Sequence, residues 1–435
     1  MQKRLFVLLL TIVSFFYLPL AKAALDLELT KGIASALPIA VVPFKSNEKL
    51  PVDITAVIAN DLNNSGEFNV KPFNDLKSHP DSAQTVDIEA WRQQNVNDVV
   101  VGHIESRGLG KYEVDYSLVN LFAKKENSIL LSEQYTVSKD ELRGLAHHIS
   151  DQVYQALTGE RGIFSTKIAY VLVENNPGQA TQYSLEVSDI DGANAKPILT
   201  SSQPIMSPSW SPDGTKIVYV SFEHYLPQIY ISDVITGDRS LVTSFSGING
   251  APTFSPDGQS LAVALSKGGN NPNIYTINIA SKKLHKITNN WAINTEPSWA
   301  PDGKSLIFTS DRGGSPQIYQ VNLQDKLTQR LTYDGKYNAT ASYTADGSEI
   351  ILLHQLDGNF NIAVMDLKTG TIKDLTHSGK NQSPSVAPNG KMVVFASEHS
   401  GQGVLGIVST NGRVSLRIPD ENGSVQEPAW SPFLS

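Results

Sequence analysis

Few residues in this chain could carry chemistry, and their spacing argues against catalysis. No Gly-x-Ser-x-Gly run occurs, so the elbow that exposes a serine nucleophile in α/β-hydrolases is missing. No His-Glu-x-x-His occurs either. The adjacent His147 and His148 fall on a predicted helix about 100° apart around its axis, a poor pair for one metal ion. They read as solvated or packing residues, and the other seven histidines are scattered singly. Asp213, Asp257, Asp302 and Asp346 recur at near-constant spacing, but each precedes a glycine inside a turn, where Asp-Gly is a local backbone choice. Gly268-Gly269 and Arg312-Gly313-Gly314 join predicted strands rather than a strand to a helix, so they lack the context of a phosphate loop. The absence of cysteine excludes thiolate catalysis, zinc–cysteine sites, disulfides and a lipid-anchored amino-terminal cysteine. No pattern identifies a metal or cofactor site, and no cofactor is expected.

The elements around these residues describe an exported binding protein. The 435 residues suffice for two or three domains, and 40% hydrophobic with 18% charged residues is a globular balance. Residues 1–23 read as an export signal: Lys3 and Arg4, an apolar run from Leu5 to Leu18, and the small-x-small site Ala21-Lys22-Ala23. As a helix the run rises only about 21 Å, short of the ~30 Å of a bilayer core, so removal is expected rather than anchoring. Without Lys3, Arg4 and Lys22 the chain holds 32 basic against 43 acidic residues, a net charge of −11. Such a chain is repelled by nucleic-acid backbones and anionic lipid.

From Pro208 onward the sequence repeats. Pro208-Ser209-Trp210-Ser211-Pro212-Asp213-Gly214 returns at Pro252 and Pro297, more weakly around Tyr343 and at Pro384, and last as Pro428-Ala429-Trp430-Ser431-Pro432. The spacings of 44, 45, 44, 43 and 44 residues belong to four-stranded propeller blades. In each copy Ser211-Pro212-Asp213-Gly214 or its equivalent suits a type I turn, and β-branched runs follow. Residues 166–200 supply three strands of a blade without its Pro-x-Trp strand, and the chain's last residues supply that strand alone. Six blades, closed by the carboxy-terminal strand, are predicted over 161–435. The tryptophans Trp210, Trp299 and Trp430 share one repeat position and are expected to pack the blades.

Residues 38–160 lack the repeat and predict a small α/β domain. Strands are expected at 39–44, 99–104, 112–121 and 129–137, with helices over 52–63 and 139–157. The fold class is therefore multidomain, α/β followed by all-β. Before it, in a segment 24–37, Leu25-Asp26-Leu27-Glu28-Leu29-Thr30 alternates strictly between apolar and polar. That pattern suits either the first strand of the domain or a peptide that adds to another sheet.

Blade topology locates the working surface. The turns joining strands one–two and three–four share one face of the disc. The two–three loops (222–227, 267–273, 311–316, 398–403) and the blade connections (246–251, 289–296) share the other, and they are longer and more varied. Binding residues concentrate on varied loops of a rigid scaffold, so a macromolecule is expected to dock at that mouth. A propeller hydrolase or lyase would need polar groups converging in the channel, which the sequence does not supply. A propeller binding a small molecule or glycan remains an alternative.

Several segments exceed what propeller physics requires: Pro38-Ile39-Ala40-Val41-Val42-Pro43-Phe44, 61–68 (DLNNSGEF), Asn249-Gly250-Ala251-Pro252, Asn294-Thr295-Glu296-Pro297 and the ending Pro428-Ala429-Trp430-Ser431-Pro432. With them the whole mature chain resembles the TolB family of the Tol–Pal cell-envelope system. The resemblance implies a monomeric, non-enzymatic periplasmic adaptor that does not enter the membrane, supporting outer-membrane integrity and constriction at division. It implies binding of the lipoprotein Pal at the propeller mouth by Met206, Ser207, Asn249, Gly250, Ala251, Asn294, Thr295 and Glu296. It also implies binding of the periplasmic domain of TolA by Leu25, Asp26, Leu27, Glu28, Leu29 and Thr30. One departure is Ile248, at a position where the family often has histidine.

Overall fold

The computed structural model describes residues 26–28, 36–175, 178–377, 379–418 and 423–434. The expected export signal and Leu25, Leu29 and Thr30 lie outside them. Blade two shows the repeating unit: Ile205–Trp210, Lys216–Ser221, Gln228–Asp233 and Arg239–Thr243 pair in sequence order, every pair antiparallel. Blades three (Asn249–Phe254 to Leu284–Lys286), four (Asn294–Trp299 to Thr328–Arg330) and five (Tyr337–Tyr343 to Ile372–Asp374) repeat it. Blade six runs from Gln382–Val386 to Ser415–Ile418. Blade one is built from both ends of the ring. Its innermost strand is Ser424–Trp430, paired with Lys167–Glu174, and Gln182–Asp189 and Lys196–Ser201 follow outward.

The turn chemistry accounts for the recurring aspartates. Asp213 Oδ1 accepts from the Thr215 amide at 3.0 Å and from Ser211 Oγ, whose oxygen in turn accepts from the Lys216 amide at 2.9 Å. Asp257 is held in the same way by Ser255 and Gln259. These carboxylates are occupied by their own turns. The tryptophans pack as expected and also tie the ring circumferentially. Trp210 Nε1 donates to the Ala429 carbonyl of blade one at 3.0 Å, and Trp299 Nε1 donates to the Thr253 carbonyl of blade three at 3.3 Å.

Every innermost strand carries one extra residue. Opposite Val220 and Val218 stand Met206 and Ser209, three positions apart against two, and the other five blades show the same slip. The residue in each bulge has a left-handed backbone: Ser207, Ala251, Glu296, Thr340, Ser383 and Glu427, with φ between 45° and 52°. None is glycine, so each bulge stores strain of about 1–3 kcal/mol that the flanking ladder must hold. Proline follows five of the six, and a bulge on an edge strand tolerates the missing N–H.

The α/β domain has a sheet ordered Phe68–Val70, Leu37–Val41, Asp98–Gly108, Lys111–Asn120, Ile129–Ser138, parallel in its first half and antiparallel in its second. Helix α1 (Ile54–Asn64) starts at Asp53, whose side chain accepts from the Ala56 amide. The short α2 (Ile88–Arg92) buries Trp91 against the opposite face, beside Leu76, Val99 and Leu121. Helix α3 (Leu142–Thr158) ends at Gly159, whose φ of 78° continues the chain in the left-handed region. Helices α1 and α3 cover one face, packing Ile58, Leu62, Leu145, Ile149 and Val153 over Ile39, Val100 and Leu118. The expected strands and long helices are present, and Phe68–Val70 and α2 are additions.

The alternating segment does not join this sheet. Asp26–Glu28 pairs antiparallel with Ser415–Ile418 as a fifth, outermost strand of blade six, Leu27 opposite Leu416. The reading of it as the domain's own first strand is therefore corrected.

Ring closure can be tested at Trp430, which is 6% exposed and donates from Nε1 to Thr166 Oγ1 at 2.8 Å. Trp430→Ala is expected to lower the unfolding free energy by about 3–5 kcal/mol in chemical denaturation. A loss below about 1 kcal/mol would mean that the terminal strand does not hold the ring.

Candidate functional site

The mouth of the ring is shaped by asparagines that repeat with the blades. Asn249 is buried; its Nδ2 donates to the carbonyls of Phe245 and Gly247 at 2.6 and 3.2 Å, and its Oδ1 accepts from the Phe245 amide at 3.1 Å. Asn294 is likewise buried, donating to the Ala292 carbonyl at 2.9 Å and accepting from Ser310 Oγ and Arg312 Nη2. Asn338 does the same work in blade five, donating to the Asp334 carbonyl at 2.7 Å. These side chains fold each blade connection back on itself. Asn249 and Asn294 thus act on the mouth by fixing loop shape.

What the loops then present is apolar. Phe245 and Ile248 on one connection, Trp291 and Ile293 on the next, and Tyr225 and Leu226 on the neighbouring loop are exposed, Trp291 by 72%. The loops brace one another: Ile248 N donates to Ser266 Oγ at 2.8 Å, Asn271 Nδ2 to the Trp291 carbonyl, and Ile293 N to Asp311 Oδ1 at 2.8 Å. Solvating six large apolar side chains on one braced rim is unfavourable unless something covers them.

Beneath the rim runs the central channel, a cavity of about 650 Å³ lined by Met206, Ser207, Ala251, Thr295 and Glu296 together with their counterparts around the ring. Gly250 lies half-buried in the same strand as Ala251. Two of the six bulges bear carboxylates, and each reaches to the next blade. Glu296 accepts from the Thr340 amide at 2.9 Å, Thr340 Oγ1 at 3.0 Å and Thr309 Oγ1 at 2.7 Å. Glu427 accepts from the Ser207 amide, and burial pushes its carboxyl above the usual range. Both bulge carboxylates are thus taken up by amides and hydroxyls of the ring itself.

A second polar cluster sits where the α/β domain meets the propeller. His147, on α3, is 2% exposed. Its Nδ1 lies 2.8 Å from Asp61 Oδ2 of α1, and its Nε2 lies 3.7 Å from Asp189 Oδ2 of blade one. Asp189 also binds Arg143 Nε at 3.1 Å, Asn194 Nδ2 at 2.8 Å and Lys167, while Asp191 binds Arg143. Burial alone would depress the imidazole, but the carboxylates of Asp189, Asp61 and Asp191 outweigh it and hold its pKa at about 9. His147 is therefore not solvated: its Nδ1 sits at hydrogen-bond distance from Asp61, whose own carboxyl burial pushes above the usual range, while its Nε2 lies too far from Asp189 to bond. His147, Asp189 and Asp191 are also spaced to hold a metal ion, but Arg143 and Lys167 already neutralise these carboxylates. His148 instead packs edge-on against Tyr135. The signal that could have found this cluster lies in three segments far apart in sequence.

The comparisons bear on the chain as a whole. It matches the TolB amino-terminal domain over residues 25–127 and the TolB beta propeller domain over residues 154–434. The Tol-Pal system protein TolB of Coxiella burnetii is 51% identical over 438 residues, covering all of both chains. This chain belongs to the TolB family. The Tol-Pal system protein TolB of Alcanivorax borkumensis is 50% identical over 415 residues, covering 95% of this chain and 94% of that one. The crystal structure of TolB from Acinetobacter baumannii superposes with a TM-score of 0.85 at 40% identity, over 94% of this chain and all of that one. As a TolB-family protein the chain is not an enzyme. No helix among the described residues is long and apolar enough to cross a membrane.

The raised pKa of the buried His147 gives a pH test with a definite sign. Its raised pKa means that its stabilisation is fully present below about 6.5 and is lost as pH rises through about 9. The melting temperature of the wild-type chain is expected to fall between these values by calorimetry. His147→Gln should cost about 3–5 kcal/mol at pH 6.5 and flatten that fall. An unchanged pH profile in the variant would show that His147 is not charged.

Proposed function

We propose that this protein is a periplasmic adaptor of the Tol–Pal system, docking Pal on the propeller mouth and TolA through the segment Leu25–Thr30, and so supporting outer-membrane integrity and constriction at division. The observation that carries the reading is the braced apolar rim around Phe245, Ile248, Trp291 and Ile293, set over a channel whose carboxylates Glu296 and Glu427 are bonded to the ring itself. A rim of this kind suits a protein surface better than a small ligand. Met206, Ser207, Ala251, Thr295 and Glu296 line the channel that would lie under such a partner, Gly250 sits in the strand beside Ala251, and Asn249 and Asn294 hold the loops that would meet it.

The strand Asp26–Glu28 supports the second half of the reading. Three residues paired at the outer edge of blade six form a short ladder, and a short ladder can exchange one partner sheet for another at a cost of a few kcal/mol. In this scheme the tail rests on blade six when Pal occupies the mouth and is released to TolA when it does not.

Titration calorimetry of residues 24–435 against soluble Pal, and separately against the carboxy-terminal domain of TolA, tests both contacts. Binding to each is expected, with TolA binding lost when residues 24–32 are deleted and Pal binding retained. If neither partner binds the full mature chain, the adaptor reading is wrong. If TolA binds the deleted chain equally well, the tail is not its site.

A further inference from the structure

The mouth is not uniform in charge, and the asymmetry says what kind of surface it accepts. Blades three and four hold four cations over aromatic rings on the mouth side. Lys267 Nζ lies 4.8 Å from the Phe245 ring centre and 6.0 Å from that of Tyr275, and Lys286 Nζ lies 5.9 Å from Tyr275. In blade four, Arg312 stacks at 4.6 Å on Tyr319, and Arg330 at 4.9 Å on Tyr333. Their hydrogen bonds go to neutral oxygens: Lys286 to Asn289 Oδ1 at 2.8 Å, Arg312 to Ser310 Oγ and Asn294 Oδ1, Arg330 to the Thr332 carbonyl. Among the described residues no carboxylate lies within ion-pair distance of any of the four.

Blade two provides the contrast. There Arg239 stacks at 4.2 Å on Tyr230, which occupies the repeat position of Tyr275 and Tyr319, but Glu223 accepts from its Nη1 at 3.0 Å. Arg239 reaches its ring from the turn end of the outer strand, opposite Ser232, whereas Lys286 and Arg330 stand opposite Tyr275 and Tyr319 and have no carboxylate partner among the described residues. In a chain of net charge −8 with 43 acidic residues, four cations without an ion-pair partner on one face stand against the average. The rings restrict these side chains, so less entropy is lost when an anion meets them.

We propose that Lys267, Lys286, Arg312 and Arg330 form a cation–aromatic rim on blades three and four that selects a protein partner by carboxylates flanking an apolar anchor. The inference rests on the adaptor reading for the identity of that partner and adds the chemistry by which it is chosen. Carboxylates on a protein fit better than the phosphates of a nucleic acid or a lipid surface. The apolar side chains between the cations must be dehydrated by an apolar counterpart, and the chain's overall charge repels an extended polyanion. Charged rims of this kind act chiefly on encounter rate and on partner choice.

The test compares two double variants of residues 24–435 that lose the same charge in different places. Lys267→Gln with Lys286→Gln removes it from the mouth, and Lys283→Gln with Lys304→Gln removes it from the turns of blades three and four on the opposite face. Both doubles should melt as the wild type does. Against the soluble domain of the organism's own Pal, the mouth double is expected to bind about tenfold more weakly, mainly through slower association, with a shallower salt dependence. The opposite-face double should stay within about twofold of wild type. Equal affinity of the two doubles, with wild type binding Pal, would overturn the rim while leaving the adaptor reading intact. Failure of the wild type to bind Pal would remove both. Binding of wild type, but not of the mouth double, to phosphatidylglycerol-rich vesicles would overturn the choice of a protein carboxylate.

Discussion

A propeller has no stable partial form: each blade leans on the next, and a ring with one incomplete blade leaves a strand edge and an apolar face in water. Here the missing strand of blade one comes from the far end of the chain, Ser424–Trp430 against Lys167–Glu174. The contact is long-range, so its loop-closure entropy must be met by packing alone, without disulfides. Trp210 bonding to Ala429 and Trp430 bonding to Thr166 show how the seam is sealed. Once it is sealed, the six bulges can be held in a left-handed backbone that six different sites could not maintain independently. The rigid ring in turn supports the mouth connections that expose Trp291 and Ile248.

The α/β domain is attached to this ring through charge as well as apolar contact. Asp61 and His147 come from its helices, Asp189, Asp191 and Lys167 from blade one, and Arg143 crosses between them. Arg143 and Lys167 balance Asp189 and Asp191, and one proton shared between His147 and Asp61 leaves the interface neutral. Asp151 of α3 fastens the connecting segment by accepting from the amides of Phe164 and Ser165 at 2.7 and 3.1 Å. Gly66 at the end of α1 approaches Val414 of blade six so closely that a Cβ there would sit 2.1 Å from it. The strand to which Asp26–Glu28 pairs begins immediately after Val414. The domain junction and the seat of the tail are therefore parts of one small region.

How much of this was legible in the sequence follows from the range of the interactions. The blades were legible because Pro-x-Trp-Ser-Pro-Asp-Gly encodes a strand and its turn locally, and repetition multiplies the signal. The closure was legible because the two fragments are complementary. The bulges were not: Ser207, Ala251, Glu296, Thr340, Ser383 and Glu427 share no residue type that signals positive φ, and only the ladder imposes it. His147 read as ordinary because its partners Asp61 and Asp189 lie far off in sequence. That the two–three loops and blade connections share a face follows from topology, whereas the burial of Asn249 and Asn294, which shape those loops from beneath, has no local signal. The strand pairing of Asp26–Glu28 with blade six had no local signal, since strict alternation specifies a strand but not its neighbour.

The central claim is that one face of a closed, rigid ring is the docking surface. Amide hydrogen exchange of residues 24–435 with and without soluble Pal tests it most directly, segment by segment. The account expects new protection at 244–250, 266–272 and 289–296, with the opposite-face turns at 211–214, 255–258 and 300–303 exchanging as before. Protection of those turns, or none at the mouth while Pal is bound, would contradict it.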